Sequence, residues 1–313
     1  MCFGFNAPGA LRRSLEEKGV DRRGFLRGAM AAGVGVGLAG FGGTAAMAAP
    51  AAKAAGRPVP PGLISIQLYT LRSIMRGEGV DATLASLANF GFTKVELAGL
   101  YGRTAEAMRS TLDSLGITPS SSHDGISATP AALETKIANA VTLGQTHINV
   151  PYLVSSSAAD WYGWAKQMNA EAAVARQAGL KYGYHNHAHE FTTDLGGGLT
   201  PWDIFTKHLD PELVHLEVDL YWAVTAGVGV GAKDPVQFAI DTILQAPQKV
   251  LQYHVKDRAP AGDFADLGTG TIDFARIFRA HTPKEFIVEN DQPDVTPLQT
   301  AEVGYKYLRG LRF

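Results

Sequence analysis

The chain has 313 residues, 46% of them apolar and 19% charged, which describes an ordinary globular protein with ample core and not a disordered one. Its formal net charge of −2 offers no electrostatic footprint for nucleic acid or for an acidic membrane surface. The single cysteine, Cys2, excludes an internal disulfide, a thiolate metal site and a cysteine nucleophile.

The first fifty residues are expected to lie outside the fold. Arg22-Arg23-Gly24-Phe25-Leu26-Arg27 is a twin-arginine pair followed by an apolar doublet, and Gly28 to Ala49 is small or apolar and carries no charge. With an A-x-A cleavage after Ala48, residues 1–48 read as a twin-arginine signal peptide, 49–62 as an Ala/Pro-rich linker and 63–313 as the folded domain. The Gly/Ala run is a poor membrane anchor, so no stable membrane insertion is expected after cleavage. Removing residues 1–48 takes away six Lys/Arg and three Asp/Glu, leaving 22 basic against 27 acidic residues and a formal charge of −5. A periplasmic or secreted protein without a nucleic-acid partner is expected; oligomeric state has no signature in the sequence.

From Leu63 onward one plan repeats: a short β-branched or apolar run, a polar or glycine-containing turn, then helical periodicity. The runs are 64–69, 94–97, 117–122, 147–152, 181–186, 214–219, 250–255 and 285–289, and their starts lie 23 to 36 residues apart, the size of a βα unit. Helical periodicity over 80–90 stops at Gly91, over 104–115 at Gly116, over 131–143 at Gly144 and over 158–178 at Gly179. Asp234-Pro235 supplies an N-cap and a first-turn proline, and 271–280 and 297–308 complete the set. Eight strand runs alternating with helical stretches in about 250 residues predict an α/β fold, a (β/α)8 TIM barrel. A doubly wound sheet would bring a Gly-rich phosphate loop after its first strand, where this chain has Tyr69-Thr70-Leu71-Arg72.

In such a barrel the active site lies at the C-terminal strand ends. Those ends read Gln67, Glu96, His123, Asn149, His185 with His187, Asp219, His254 and Glu289, behind strand interiors that read as apolar. Tyr182–Phe191 concentrates three of the nine histidines, at 185, 187 and 189, with Glu190 beside them. Strand alternation puts His185 with His187, Glu217 with Asp219, and His254 with Lys256 on shared faces. A strand-terminal Asp, His and Glu converging on the barrel axis suit a divalent ion such as Mn2+, Co2+, Mg2+ or Zn2+.

The pieces Ile66-Gln-Leu-Tyr-Thr-Leu-Arg72, Val95-Glu-Leu-Ala-Gly99, Tyr184-His-Asn-His187, Glu217-Val-Asp-Leu-Tyr-Trp222, His254-Val-Lys-Asp257, Leu267-Gly-Thr-Gly-Thr-Ile-Asp273 and Val288-Glu-Asn-Asp291 resemble the sugar phosphate isomerase/epimerase group of xylose isomerase-like TIM barrels, over roughly residues 63–311. The resemblance implies a divalent ion held by Glu, Asp, His and Glu from strands 5 to 8, with Asp219, His254 and Glu289 filling three places. Strand 5 departs from that pattern with His185-Asn186-His187. Either a histidine replaces the carboxylate or Glu190 reaches back from the loop; Glu190 is favoured as the metal ligand because a hard oxygen donor keeps the charge count.

The implied reaction removes a proton from a carbon beside the carbonyl of a small sugar or keto-sugar, through an enediolate. His185 or His187 is the expected base, with Glu289 on the opposite face and Lys256 and His123 stabilising or protonating oxygens. Gln67, Glu96, Tyr101, His123 and Trp222 are expected to contact substrate, with Tyr69 as a further stacking ring. Return of the proton to carbon gives isomerisation or epimerisation; loss of a β-substituent gives dehydration or cleavage of a 3-keto-glycoside. The non-enzymatic alternative is an exported sugar-binding barrel, and an endonuclease-IV-like phosphodiesterase is disfavoured by the acidic charge.

Overall fold

Each apolar run becomes a strand and each periodic stretch a helix in the computed structural model, which describes residues 56–313. The expected signal peptide and the expected linker up to residue 55 lie outside the described residues. The order is β1 (Ile64–Ile66), α1 (Gly79–Phe90), β2 (Lys94–Leu97), α2 (Ala105–Ser114), β3 (Thr118–Ser122), α3 (Pro130–Leu143), β4 (His147–Val150), α4 (Ala158–Gln177) and β5 (Lys181–His185). It continues with α5 (His189–Thr192), α6 (Pro201–His208), β6 (Val214–Asp219), α7 (Leu220–Gly229), α8 (Pro235–Gln245), β7 (Val250–Val255), a ribbon of β8 (Asp257–Arg258) and β9 (Phe264–Ala265), α9 (Phe274–Ala280), β10 (Glu285–Val288) and α10 (Pro297–Gly310).

Six parallel strands run in the order β1-β10-β7-β6-β5-β4, and β2 pairs with β3. Two parallel bridges, Gln67 to Glu96 and His123 to Asn149, join the two sheets. The result is a (β/α)8 barrel whose seams close at its C-terminal mouth. At the other end Arg57 N donates to Phe313 O at 2.8 Å and Phe313 N to Arg57 O at 3.1 Å, while Val59 is fully buried, so the last residues of the expected linker belong to the barrel.

Local chemistry sets the helix ends. Thr104, Thr129, Asp234 and Thr296 each accept a backbone N–H in the first turn of the helix that follows, and Gly91 and Gly144 end α1 and α3 with φ of 103° and 73°. Helix α6, absent from the sequence reading, starts at a capping box made by Thr200 and Asp203. The glycine-rich loop 267–273 is organised by Asp257. Its carboxylate accepts the backbone N–H groups of Arg258, Gly268, Gly270 and Ile272 at 2.8 to 3.2 Å, and a Cβ at Gly270 would lie 2.2 Å from that carboxylate.

The barrel interior differs from the sequence expectation of apolar strand interiors. Outward residues such as Ile66, Val95, Ile148, Leu216, Val218, Val255 and Val288 form the apolar shell under the helices, but most inward positions are polar. Gln67, Glu96, Ser121, Asn149, Glu217 and Gln252 are all fully buried and bonded to one another, and Gln252 passes the network on to Glu285 at 3.0 Å. Strands this short read as apolar because only alternate residues carry the polar groups. Gly183 stands where a Cβ would lie 2.4 Å from Asn149 Oδ1 and 2.5 Å from His215 Nε2, so the network needs a glycine there.

Two histidines low in this network give the fold a pH dependence. Burial, and then the Lys181 charge, pushes His147 down to about 4; burial, and then His147, pushes His215 down to about 3. In the unfolded chain both take up protons below roughly pH 6.5. Depressed folded values mean that their contribution is complete above that pH and is lost as pH falls toward 4. Each histidine adds a slope of at most about 1.4 kcal/mol per pH unit in that window. Glu285, whose carboxyl burial pushes up, acts in the opposite sense. Urea midpoints followed from pH 7 to 4.5 should therefore fall less steeply in His215→Gln than in the wild type; parallel profiles would contradict the assignment.

Candidate active site

The mouth is assembled from consecutive strand ends. His185 closes β5, Asp219 closes β6 and also caps α7 by accepting Trp222 N at 3.0 Å, His254 lies near the end of β7, and Glu289 follows β10. Asn186, between the two histidines, clamps the backbone of Asp219: its Oδ1 accepts Asp219 N at 3.0 Å. One ligand atom each from His185, Asp219, His254 and Glu289 lie within 4.8 Å of one another, and all four residues are buried. A second group of His123, His185, Glu217 and His254 shares two of these imidazoles.

Electrostatics explain how so many charges stay buried. Lys256, 1% exposed, places Nζ 3.0 Å from Asp219 Oδ2, 2.7 Å from Glu289 Oε2 and 3.0 Å from Asp291 Oδ2. Burial alone would lower its pKa; Asp219, Asp291 and Glu289 outweigh that and hold the ammonium well above its usual range. Reciprocally, burial would raise both carboxyls, but Lys256 brings Asp219 down to about 2, and Lys256 with His254 holds Glu289 well below the usual range. His254 Nδ1 lies 2.8 Å from Glu289 Oε2. His185 Nε2 makes no hydrogen bond and faces, at 3.4 Å, the Asp219 Oδ2 that pairs with Lys256.

Glu190 is not among these groups, contrary to the sequence preference for it as the metal ligand. Its Oε1 accepts the Tyr184 hydroxyl at 2.6 Å and its Oε2 accepts His187 N at 2.8 Å, so it ties the loop after β5 to the barrel wall. Burial pushes its carboxyl up, more than the neighbouring His189 and its hydrogen bonds pull it down. His185 takes the strand-5 place. His187 stands one layer further out, its ring 5.0 Å from His185, 5.0 Å from Tyr152 and 5.2 Å from Trp222, with a buried Nδ1 that has no hydrogen bond. Burial, then His185 and Lys256, holds that imidazole well below its usual pKa, hence neutral.

The expected substrate contacts divide. Gln67 and Glu96 are fully buried and bonded to each other at 2.7 Å, beneath the mouth and out of a substrate's reach. His123, whose side chain is 11% exposed, turns Nε2 inward to Glu217 at 2.8 Å. Trp222 reaches the mouth with a buried, unbonded Nε1 and lies 5.6 Å from Lys256 Nζ. Tyr101 sits at φ 52°, the one non-glycine with positive φ among the described residues, a local strain of the kind found at functional sites. Sequence reasoning passed over Glu217 as a site residue although alternation placed it on the Asp219 face, and it passed over Asp291, two residues beyond Glu289.

The residues fit a divalent ion on the structure's own terms. Two imidazoles and two carboxylates converge, Lys256 offsets part of the carboxylates' charge, and the buried Nε2 of His185 has no hydrogen bond. Among the described residues no helix is long and apolar enough to cross a membrane.

A family model described as xylose isomerase-like TIM barrel matches residues 77–292. A sugar phosphate isomerase/epimerase from Parabacteroides distasonis superposes with a TM-score of 0.65 at 23% identity, covering 84% of this chain and 98% of that one. A probable 3-DHS dehydratase from Bacillus anthracis gives 0.59 at 14% identity over 78% and 98%. The IOLI protein, with a bound zinc atom, gives 0.58 at 14% identity over 78% and 95%. At these identities the structures testify to the fold alone. No curated protein matches the chain.

Proposed function

The chain belongs to the xylose isomerase-like TIM barrel family, and from that premise we propose that it is a metal-dependent sugar isomerase or epimerase moving a proton at a carbon beside a carbonyl. The observation that carries this reading is the convergence of His185, Asp219, His254 and Glu289 at the barrel mouth. These four residues would hold the ion, and a mixed nitrogen and oxygen set matches Zn2+, Co2+ or Mn2+ better than Mg2+. A divalent ion bound there supplies positive charge for the oxygens on which an enediolate develops its negative charge.

The chain's own groups account for the rest. His187 is neutral and its Nδ1 has no competing hydrogen bond, so it takes the role of base toward a substrate carbon. Lys256 keeps the carboxylates ionised and, through its three ion pairs, holds them in place around the ion's position. Trp222 walls the base in, and its indole Nε1–H is available to a sugar hydroxyl. The mouth holds Asp219, Glu289 and Asp291 around one ammonium already shared among them. A free or keto sugar suits that field better than a phosphate ester, and it also suits the proposed twin-arginine export.

Elimination from a keto-sugar or 3-keto-glycoside is the second reading, favoured by the histidine that stands at the strand-5 position. Keto-sugars incubated with the loaded protein in D2O separate the two. Isomerase or epimerase action incorporates deuterium at the carbon beside the carbonyl without net elimination; accumulation of an unsaturated product supports the second reading, and no exchange at all rejects both. His187→Gln should slow exchange about 10²- to 10⁴-fold with metal content unchanged.

A further inference from the structure

Glu96 lies one residue before the end of β2 and has no exposed surface. Its Oε1 accepts Gln67 Nε2 at 2.7 Å and lies 2.7 Å from His254 Nε2; its Oε2 accepts Ser121 Oγ at 2.6 Å and Asn149 Nδ2 at 3.2 Å. Partners from four other strands or strand ends thus converge on one buried carboxylate. A charge so deep and so fully bonded is retained at a desolvation cost, and substrate cannot touch it.

The ring it touches is the one that matters. His254 is gripped from both edges, Nδ1 toward Glu289 at 2.8 Å and Nε2 toward Glu96 at 2.7 Å. Glu217 also approaches Nε2, at 3.2 Å, but its own closer partners are Asn149 at 2.6 Å and His123 at 2.8 Å. An imidazole that coordinates through one nitrogen commonly donates its other N–H to a carboxylate, which fixes tautomer and ring orientation and raises ligand basicity.

We propose that Glu96 is the positioning residue of the metal centre: it accepts Nε2–H of His254 and so presents Nδ1 to the ion, while Gln67, Ser121 and Asn149 fix the carboxylate. The inference rests on the metal-dependent reading above. It also gives the barrel seams a purpose. The two bridges that close the barrel, Gln67 to Glu96 and His123 to Asn149, join the strands that carry Glu96 and its donors Gln67, Ser121 and Asn149, so the groups that fix the ring stand at the barrel's closing seams.

The test is Mn2+ titration against a competing chelator for the wild type, Glu96→Gln and Ser121→Ala, with melting temperatures measured in excess EDTA. Glu96→Gln should weaken Mn2+ binding about 10- to 100-fold. Ser121→Ala should weaken it by a smaller factor, and both variants should melt in EDTA close to the wild type. The Co2+-loaded Glu96→Gln protein should show shifted visible absorption bands. A merely structural role would lower the EDTA melting temperature and leave affinity within twofold, which overturns the proposal. Two ions per wild-type chain, falling to one in Glu96→Gln, would make Glu96 a ligand and overturn it as well. If Glu96→Gln fails to fold, Ser121→Ala decides, and unchanged affinity there counts against the proposal. A wild type that binds no divalent ion removes the metal-dependent reading itself, an outcome distinct from equal affinities in wild type and variant.

Discussion

Lys256→Met should make the protein's stability depend on a divalent ion. In the native barrel the ammonium is 1% exposed and lies within 3.0 Å of Asp219, Glu289 and Asp291. Methionine keeps most of the volume and the contact with Trp222 and Phe264, so the change is mainly one of charge. It leaves Asp219 and Glu289 buried without that cation, and removing one partner of a buried ion pair costs about 3–5 kcal/mol. For a domain of this size that corresponds to a loss of roughly 10 °C in melting temperature in EDTA. A divalent ion supplies the missing charge and binds only the folded state, so saturating Mn2+ should recover most of the loss through mass action. Thermal melts of wild type and variant, with EDTA and with Mn2+, check this. A deficit of equal size under both conditions would mean that Lys256 contributes packing alone.

Much of this arrangement was legible in the sequence. Strand-to-helix spacing gave the barrel, because a βα unit has a narrow range of lengths and glycine stops mark the helix ends. The strand-terminal positions of Asp219, His254 and Glu289 needed only alternation and the rule that barrel sites lie at C-terminal ends. What escaped was set by three-dimensional hydrogen bonding. Glu190 is the right residue type five positions after His185, yet the one-turn helix α5 directs it back to Tyr184 and to the backbone of His187. No periodicity in a four-residue helix announces that. Gln67 and Glu96 stand near strand ends as Asp219 and His254 do, but the bridge between them lets their side chains bond each other, fully buried and away from the mouth. Asp291 belongs to a loop, and only the reach of Lys256 draws it into the site.

Asp219→Ala and Glu289→Ala should each abolish stoichiometric divalent-ion binding and reduce any proton exchange to background. Loss of a direct ligand should exceed the roughly 10- to 100-fold drop typical of an outer hydrogen-bond partner, which ranks both variants below Glu96→Gln in one titration. Their stabilities should differ. Glu289→Ala leaves Lys256 with Asp219 and Asp291, so its melting point in EDTA should stay near the wild type. Asp219→Ala also removes the N-cap of α7, where Oδ1 accepts Trp222 N at 3.0 Å, and that loss costs about 1 kcal/mol. Asp219→Asn separates the two duties of this side chain. Its amide oxygen keeps the cap while the charge is gone, so it should melt close to the wild type in EDTA and still fail to retain the ion. Near-normal metal content in both Asp219→Asn and Glu289→Ala would remove these residues from the site, whereas loss of metal with retained stability assigns the ion to the carboxylates that Lys256 neutralises.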